Sequence, residues 1–349
     1  MKFWVAGIVA VTLLLHILSG VLLPFVAACG IAYFLDPFAD WLEARKLSRG
    51  FATSVILLTF FFFSTVLLML MFPLLQSQII QLARSLPTMI ENARTLAQPL
   101  FEDIIAGLPP VVLDNIRNAA AGFAGKAVSW GSSVLANLWS GGVAFFNMLS
   151  LVVITPVVAF YLLRDWDLIV AKVDSWLPLG SAPIIRARFS EIDNTLAAFI
   201  RGQASVCLVL SLIYAIGLSL VGLPSGLLIG LGAGLFSFIP YLGAATGLAT
   251  GVGIAVFHFD SLMPIATVTG VFLFGQILES YVLTPRLVGD RVGLHPVWII
   301  FALLAGGALF GFTGVLLAVP TAAVIGVLSR YGISRYLSSA FYHSVEPPQ

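Results

Sequence analysis

The chain has 349 residues, of which 60% are hydrophobic and 9% charged, with a formal net charge of +1. Soluble domains carry roughly 25% charged and 45–50% apolar residues, so no globular core could hide this much apolar surface and most of the surrounding solvent must be lipid. The near-zero charge excludes a nucleic-acid partner, which needs a basic face, and the two cysteines, Cys29 and Cys207, form neither a metal-ligand spacing nor a disulfide framework.

A transmembrane helix needs about 20 apolar residues, because the hydrocarbon core is about 30 Å thick. Residues 3–35 are apolar apart from His16 and are interrupted at Ser19, Gly20 and Pro24, which predicts a helical hairpin or one long kinked helix. The tetrapeptide "VAAC" at 26–29 resembles a lipoprotein cleavage box. The apolar run before it exceeds the usual ~7–15 residues of a signal core, so the segment reads as membrane-embedded. The amphipathic stretch "DPFADWLEARKLSRG" follows, and 51–74 is a span. Together these make an N-terminal transmembrane unit over 1–75.

Residues 76–145 carry Arg84, Glu91, Arg94, Glu102, Asp103, Asp114, Arg117 and Lys126, with Ile79, Leu82 and Leu86 at helical spacing. They predict an extramembrane insert of amphipathic helices interrupted by Pro87, Pro99, Pro109 and Pro110. The remainder, 146–349, reads as a transmembrane transport core. It spans at 146–163, turns polar over 164–203 and spans again at 204–221. A Gly-broken pair follows around 225–257, then a span at 262–284 and a Gly/Pro-broken pair at 295–329. The fold class predicted is an all-α polytopic membrane protein with about eight embedded segments. Lys and Arg concentrate in short cytoplasmic loops. Their distribution puts 36–50, 164–203, 286–292 and 330–349 in the cytoplasm and 76–145 outside.

Glycines fall at 226, 230 and 234, and again at 243, 247 and 251. A glycine every fourth residue lines one helix face and permits close backbone approach. The two runs flank "FSFIPYLG", where Pro240 removes a backbone donor. Freed backbone groups at membrane depth are tolerated only inside protein or beside a watery cavity, and broken apolar segments point to a transporter's binding site. Phe238 and Pro240 are therefore candidates for the solute or ion path.

In "VFLFGQILESYVLTP", Gln276, Glu279, Ser280 and Thr284 fall at i, i+3, i+4 and i+8, on one face of a helix that Pro285 should end. An intramembrane carboxylate is costly against lipid and marks a path or a partner. Gln276, Glu279, Ser280 and Arg286 are read as path residues, with Asp290 and Arg291 supporting the following loop. The polar cluster "FSEIDNTLAAFIRGQ", with Glu191, Asp193 and Arg201, reads as interfacial anchoring. No G-x-x-x-x-G-K-[ST], H-E-x-x-H or G-x-S-x-G motif is present, so the sequence offers no sign of an enzyme and implies no cofactor.

The stretches "VVAFYLLRDWD", "FIRGQ", "GLFSFIPYLGA" and "ILESYVLTPRLVGDRVGLHPVWIIFALLAGGALFGFTGVLLAVP" together resemble the autoinducer-2 exporter family. The matching motif positions are Phe238, Pro240, Gly243, Glu279, Pro285, Arg286, Gly289, Pro296 and Pro320. The resemblance implies an inner-membrane permease without an ATPase subunit. It further implies export of a small furanone-type signal or, in some members, sodium–proton exchange, and a homo-oligomer, in one view a pentamer. The expected partners are thus the lipid bilayer, a small solute or ion, and further copies of the chain. A passive channel and a non-transporting scaffold that presents 76–145 stand as alternatives, because a fold hosts more than one function.

Overall fold

The computed structural model describes residues 18–105, 142–259, 261–289, 293–339 and 342, and among these every regular element is helical. In chain order they are α1 (Ser19–Glu43), α2 (Arg49–Ile105), α3 (Gly142–Asp174), α4 (Ala182–Leu220), α5 (Gly226–Phe236), α6 (Leu242–His258) and α7 (Leu262–Leu278). A π-helical segment (Glu279–Val288) continues α7, and α8 covers Pro296–Leu337. Five stretches are long and apolar enough to cross a bilayer: Val21–Glu43, Arg49–Gln81, Ala182–Leu220, Leu262–Val288 and Pro296–Leu337.

Two groups of helices have separate cores. The first joins α1, α2 and α3 around Ala28, Ala32, Leu35, Ala39, Leu57, Ala159 and Leu163. Alanines at 28, 32 and 39 let α1 sit close to α3, and larger residues stay on lipid-facing sides: Leu58, Phe62 and Phe63 are exposed. The second group wraps α5, α6, α7, the π segment and part of α8 around α4, with Val206, Leu210, Tyr214, Leu218, Val268 and Phe272 at its centre.

Contact in the second group is made by glycine. A β-carbon on Gly230 would collide with the backbone of Tyr214 and Ala215, and one on Gly234 with the backbone of Ser211. One on Gly226 would come 2.9 Å from the Leu218 carbonyl carbon. The every-fourth glycines of α5 therefore lie directly on α4, as their spacing implies. Gly247 and Gly251 of α6 receive the Phe272 ring of α7, and Gly202 of α4 lies against the Leu287–Val288 backbone.

α5 has 11 residues and α6 has 17. At 1.5 Å per residue α5 reaches about 16 Å and α6 about 25 Å, each less than the ~30 Å hydrocarbon thickness. In α8 the helical path is broken at Gly311 (φ 59°, ψ −141°). A β-carbon on Gly306 would strike the Gly314 carbonyl oxygen. Residues eight apart in a straight helix are about 12 Å apart along the axis, so this contact means that the chain doubles back and 296–310 packs on 312–337.

Three boundaries differ from the sequence expectation. α2 runs unbroken from the membrane stretch through Pro87 and Pro99 to Ile105. A proline removes one donor, and the bonds of neighbouring turns in a 57-residue helix hold the path. The rest of the expected insert, 106–141, lies outside the described residues. Likewise 182–203 and 204–220 are one helix rather than a polar segment followed by a span. Pro285 does not end its helix, which continues to Val288. A proline ring clashes with the carbonyl four residues back in α geometry, and the wider π turn relieves that clash.

Candidate functional site

The described residues of the four Lys/Arg-rich segments are tied to one another through α1, α3, α4 and α8. Arg49 Nε donates to the Leu163 carbonyl (3.1 Å), linking 36–50 to α3. Arg201 Nε donates to the Tyr33 carbonyl (2.7 Å), and its Nη2 lies 3.3 Å from Asp36 Oδ2. The Arg188 guanidinium lies 5.4 Å from the Tyr331 ring centre, joining α4 to α8, and Leu287 and Val288 lie on Gly202. At the opposite end, Gln78 of α2 holds the α4–α5 turn. Its carbonyl accepts from Ser225 Oγ (3.0 Å) and its side-chain oxygen accepts from the Leu228 amide (3.0 Å).

Between these ends the irregular backbone is gathered on α4. The elbow between α5 and α6 contains Phe238 and Pro240, both half-buried. Gln203 Nε2 donates to the Ser237 carbonyl (2.6 Å), a buried bond that satisfies a carbonyl where the helix stops. Phe238 meets Phe199 edge-on at 6.1 Å, and Tyr241 takes left-handed backbone angles (φ 68°) that let the chain turn into α6. Cys207 lies behind the elbow, its thiol 4.0 Å from the Leu235 carbonyl oxygen.

Glu279 is the first residue of the π segment and is half-buried. The π segment packs against α4, the helix that carries Cys207 and Tyr214. No ion pair or hydrogen bond to Glu279 occurs among the described residues. The Tyr214 hydroxyl is fully buried and also lacks a partner there. The Tyr214 ring lies against Gly275 of α7, where a β-carbon would be 2.6 Å from the hydroxyl oxygen. A carboxylate with no countercharge and a hydroxyl with no partner among the described residues thus lie on packed helices, the π extension of α7 and α4. Unpaired buried polar groups each cost about 1–3 kcal/mol, and π turns in helices occur frequently at functional sites.

The remaining predicted residues divide. Gln276 Nε2 donates to Ser280 Oγ (3.2 Å), so these two are together. Ser280 is exposed while Glu279 is half-buried. The 3.6-residue spacing holds only up to this point, because the π winding changes the angle per residue from Glu279 onward. Arg286 is exposed and makes no ion pair with Glu279. Asp290 and Arg291 lie outside the described residues.

Sequence reasoning missed three participants. Tyr214 reads as one more aromatic in an apolar span. Gln203 reads as the polar end of an amphipathic stretch, and its partner is 34 positions away. Arg49 reads as a loop charge that fixes topology, yet it is the hub of the first helix group. It pairs with Asp36 (2.9 Å), Glu43 (2.9 Å) and Asp40. Asp193 and Arg201, expected to anchor the interface, instead face a cavity of about 200 Å³ between the two groups, where Tyr33 donates to Asp193 (2.9 Å).

A comparison with known families places this helical architecture. The model of the AI-2E family transporters matches residues 4–333. The chain belongs to the AI-2E transporter family. Among its relatives in this family, YrrI of Bacillus subtilis (strain 168) is 30% identical, across 89% of this chain and 86% of its own length. PerM of Escherichia coli (strain K12) is 28% identical across 88% and 86%. YueF of Bacillus subtilis (strain 168) is 27% identical across 93% and 91%. The roles proposed in their names are transport protein, permease and transport protein. As an AI-2E member the chain is a multi-pass membrane protein of a transporter family.

Proposed function

We propose that this AI-2E member is an ATP-independent secondary transporter. It exports a small polar solute, of which a furanone-type signal is one example, and couples that movement to an ion at Glu279. The observation that carries this reading is the half-buried Glu279 carboxylate, at the junction of an α-helix and a π-helix that packs on α4, with no countercharge among the described residues, together with the buried Tyr214 hydroxyl of α4, which has no partner among them. A carboxylate without a fixed countercharge can take up a proton or a sodium ion and release it when its surroundings change. The adjoining elbow, with Phe238 and Pro240, offers an apolar wall and backbone carbonyls for a small solute. Gln276 and Ser280 extend the polar face toward solvent, and Arg286 attracts anionic solutes at the exit of the π segment.

The orientation puts the Lys/Arg-rich end in the cytoplasm, which the positive-inside rule supports. The chain then sits in the inner membrane as a homo-oligomer, with about eight embedded segments once the short α5, α6 and doubled α8 arms are counted. A sodium–proton antiporter without an organic solute is the second reading, and the lone carboxylate favours it over a passive channel.

The test is reconstitution into proteoliposomes, with pH and sodium gradients imposed separately and a panel of small polar solutes supplied. Wild type should show saturable counterflow that responds to one of the two gradients. Glu279→Gln keeps the shape and should reduce the gradient-dependent component to the protein-free background while leaving oligomer size unchanged. If Glu279→Gln responds to both gradients as wild type does, Glu279 is a packing residue and the coupling site lies elsewhere.

A further inference from the structure

At the Lys/Arg-rich end an open groove of about 430 Å³ separates the start of α4 from the last turns of α8. Among the described residues its polar lining is Arg188 from α4, Tyr331, Ser334 and Arg335 from α8 and Ser338 just after it, with no acid. Arg335 Nη1 donates to the Tyr331 hydroxyl (3.2 Å), and Arg335 has no carboxylate partner among the described residues. Arg188 pairs along one edge with Glu191, while its Nε is covered and lacks an acceptor among the described residues. The tyrosine ring lies between the two arginines, taking a hydrogen bond from one and the guanidinium face of the other. Ser334 and Ser338 turn their protons to backbone carbonyls of their own helix (2.9 and 3.1 Å). Hydroxyl protons rotate readily, so both serines could donate outward instead.

The surroundings of the groove are those of a membrane surface. Ile184, Ile333 and Leu337 beside it are exposed, as are Trp176 and Leu179 in the turn before α4 and Tyr336 in α8. Exposed aromatics next to aliphatics form the belt that sits at headgroup level. Planar guanidinium forks match phosphoryl oxygens bidentately. An open groove flanked by apolar side chains suits a headgroup whose tails lie along the helices better than it suits a small enclosed solute. Taking Arg188 and Arg335 against Glu191, the site keeps one net positive charge, which suits a phosphodiester.

We propose that this groove binds a phosphoryl anion and that its occupant in the membrane is the headgroup of an anionic phospholipid. The proposal does not depend on the transport reading, because none of its residues lies on the Glu279 path.

The test uses the full chain in neutral detergent and reads its melting temperature. Short-chain phosphatidylglycerol is compared with phosphatidylcholine, and sodium phosphate with sodium chloride at equal ionic strength. Phosphatidylglycerol should raise the melting temperature more than phosphatidylcholine does. Arg335→Gln should weaken the apparent affinity about tenfold, the loss of one charge-assisted contact, and Arg335→Lys should recover part of it. A response to inorganic phosphate alone, abolished by Arg335→Gln, also supports the site and assigns its occupant to a soluble phosphate. Ser334→Asp, which adds a like charge on an exposed position, gives the same reading if Arg335→Gln does not yield folded protein. Equal effects of the two lipids together with equal effects of the two salts would overturn the proposal. A phosphatidylglycerol effect that persists in both variants would also overturn it.

Discussion

The two helix groups solve the same problem, burying an apolar chain in lipid, by opposite means. In α1–α3 small alanines set helix spacing, side chains fill the gaps, and the polar residues concentrate at one end around Arg49. In α4–α8 backbone lies on backbone through glycine, helices stop short or reverse, and polar groups occur along the length: Gln203, Ser237, Tyr214 and Glu279. Regular helices satisfy their own backbone groups and need nothing from their neighbours. Broken ones need partners, and those partners are what a solute can exchange with. The first group is therefore suited to be a frame and the second to be the working part. The two touch through polar ties at opposite ends, Tyr33 and Arg201 at one and Gln78 with Ser225 at the other.

The largest test of this contrast is a single methyl group. Gly230→Ala would press a β-carbon into the Ala215 backbone, which cannot rotate away, and should cost about 3 kcal/mol. Gly232 is two residues along the same helix with nothing within 4 Å of its would-be β-carbon. Gly232→Ala should stabilise by up to about 1 kcal/mol through helix propensity. Melting temperature and oligomer homogeneity in detergent compare the two. Equal behaviour would mean that α5 does not pack on α4 through its glycines. A smaller effect should come from the frame. Arg49→Ala removes the cation shared by Asp36, Asp40 and Glu43 and the donor to Leu163. The three carboxylates are partly exposed, with side-chain exposures of 34%, 60% and 48%, so solvent screens their repulsion. The expected loss is about 2 kcal/mol. Hydrogen exchange should quicken in α1 and the start of α2 and stay unchanged in α5 and α6. Uniform quickening would show that the two groups unfold as one unit.

The contrast also explains which parts were legible beforehand. Glycine spacing is a local, periodic signal, so the α5 stripe could be read from residues 226, 230 and 234 alone. That a carboxylate sits half-buried at residue 279 followed equally from one charge in an apolar run. Contacts between distant positions could not be read this way: Gln203 with Ser237, Tyr33 with Asp193, and Arg49 with Leu163 have no sequence signature linking the partners. The π segment was hidden for a different reason. Pro285 signals the end of an α-helix, and nothing in the local pattern distinguishes an end from a change of winding. That change sets exposed Ser280 apart from half-buried Glu279 and leaves Arg286 exposed, so the four-residue stripe expected over 276–284 does not continue unchanged through the π segment.

The smallest expected effect concerns the covalent link between the two groups, the turn between α3 and α4. Arg186 donates to both carboxylate oxygens of Asp174 (2.6 and 2.9 Å), 12 positions earlier in the chain, closing a loop across that turn. The hydrogen bonds from Arg186 hold the Asp174 carboxyl below the usual carboxylate range. A group whose folded value is depressed stabilises the fold above its unfolded value of about 3.9 and loses that contribution as pH falls through the folded value. The clamp should therefore be constant from neutral pH to below the ordinary carboxylate range and open only as pH falls through the depressed folded value. Both side chains are solvent-exposed, so salt should weaken it as well. A nitroxide pair at positions 176 and 183, read by spin–spin distance, should broaden at low pH or high salt in wild type. Asp174→Asn should show the broadened distribution at every pH. If Asp174→Asn shows the wild-type distance at neutral pH and low salt, the turn is held by its backbone hydrogen bonds, and the link between frame and working part is stiff without the ion pair.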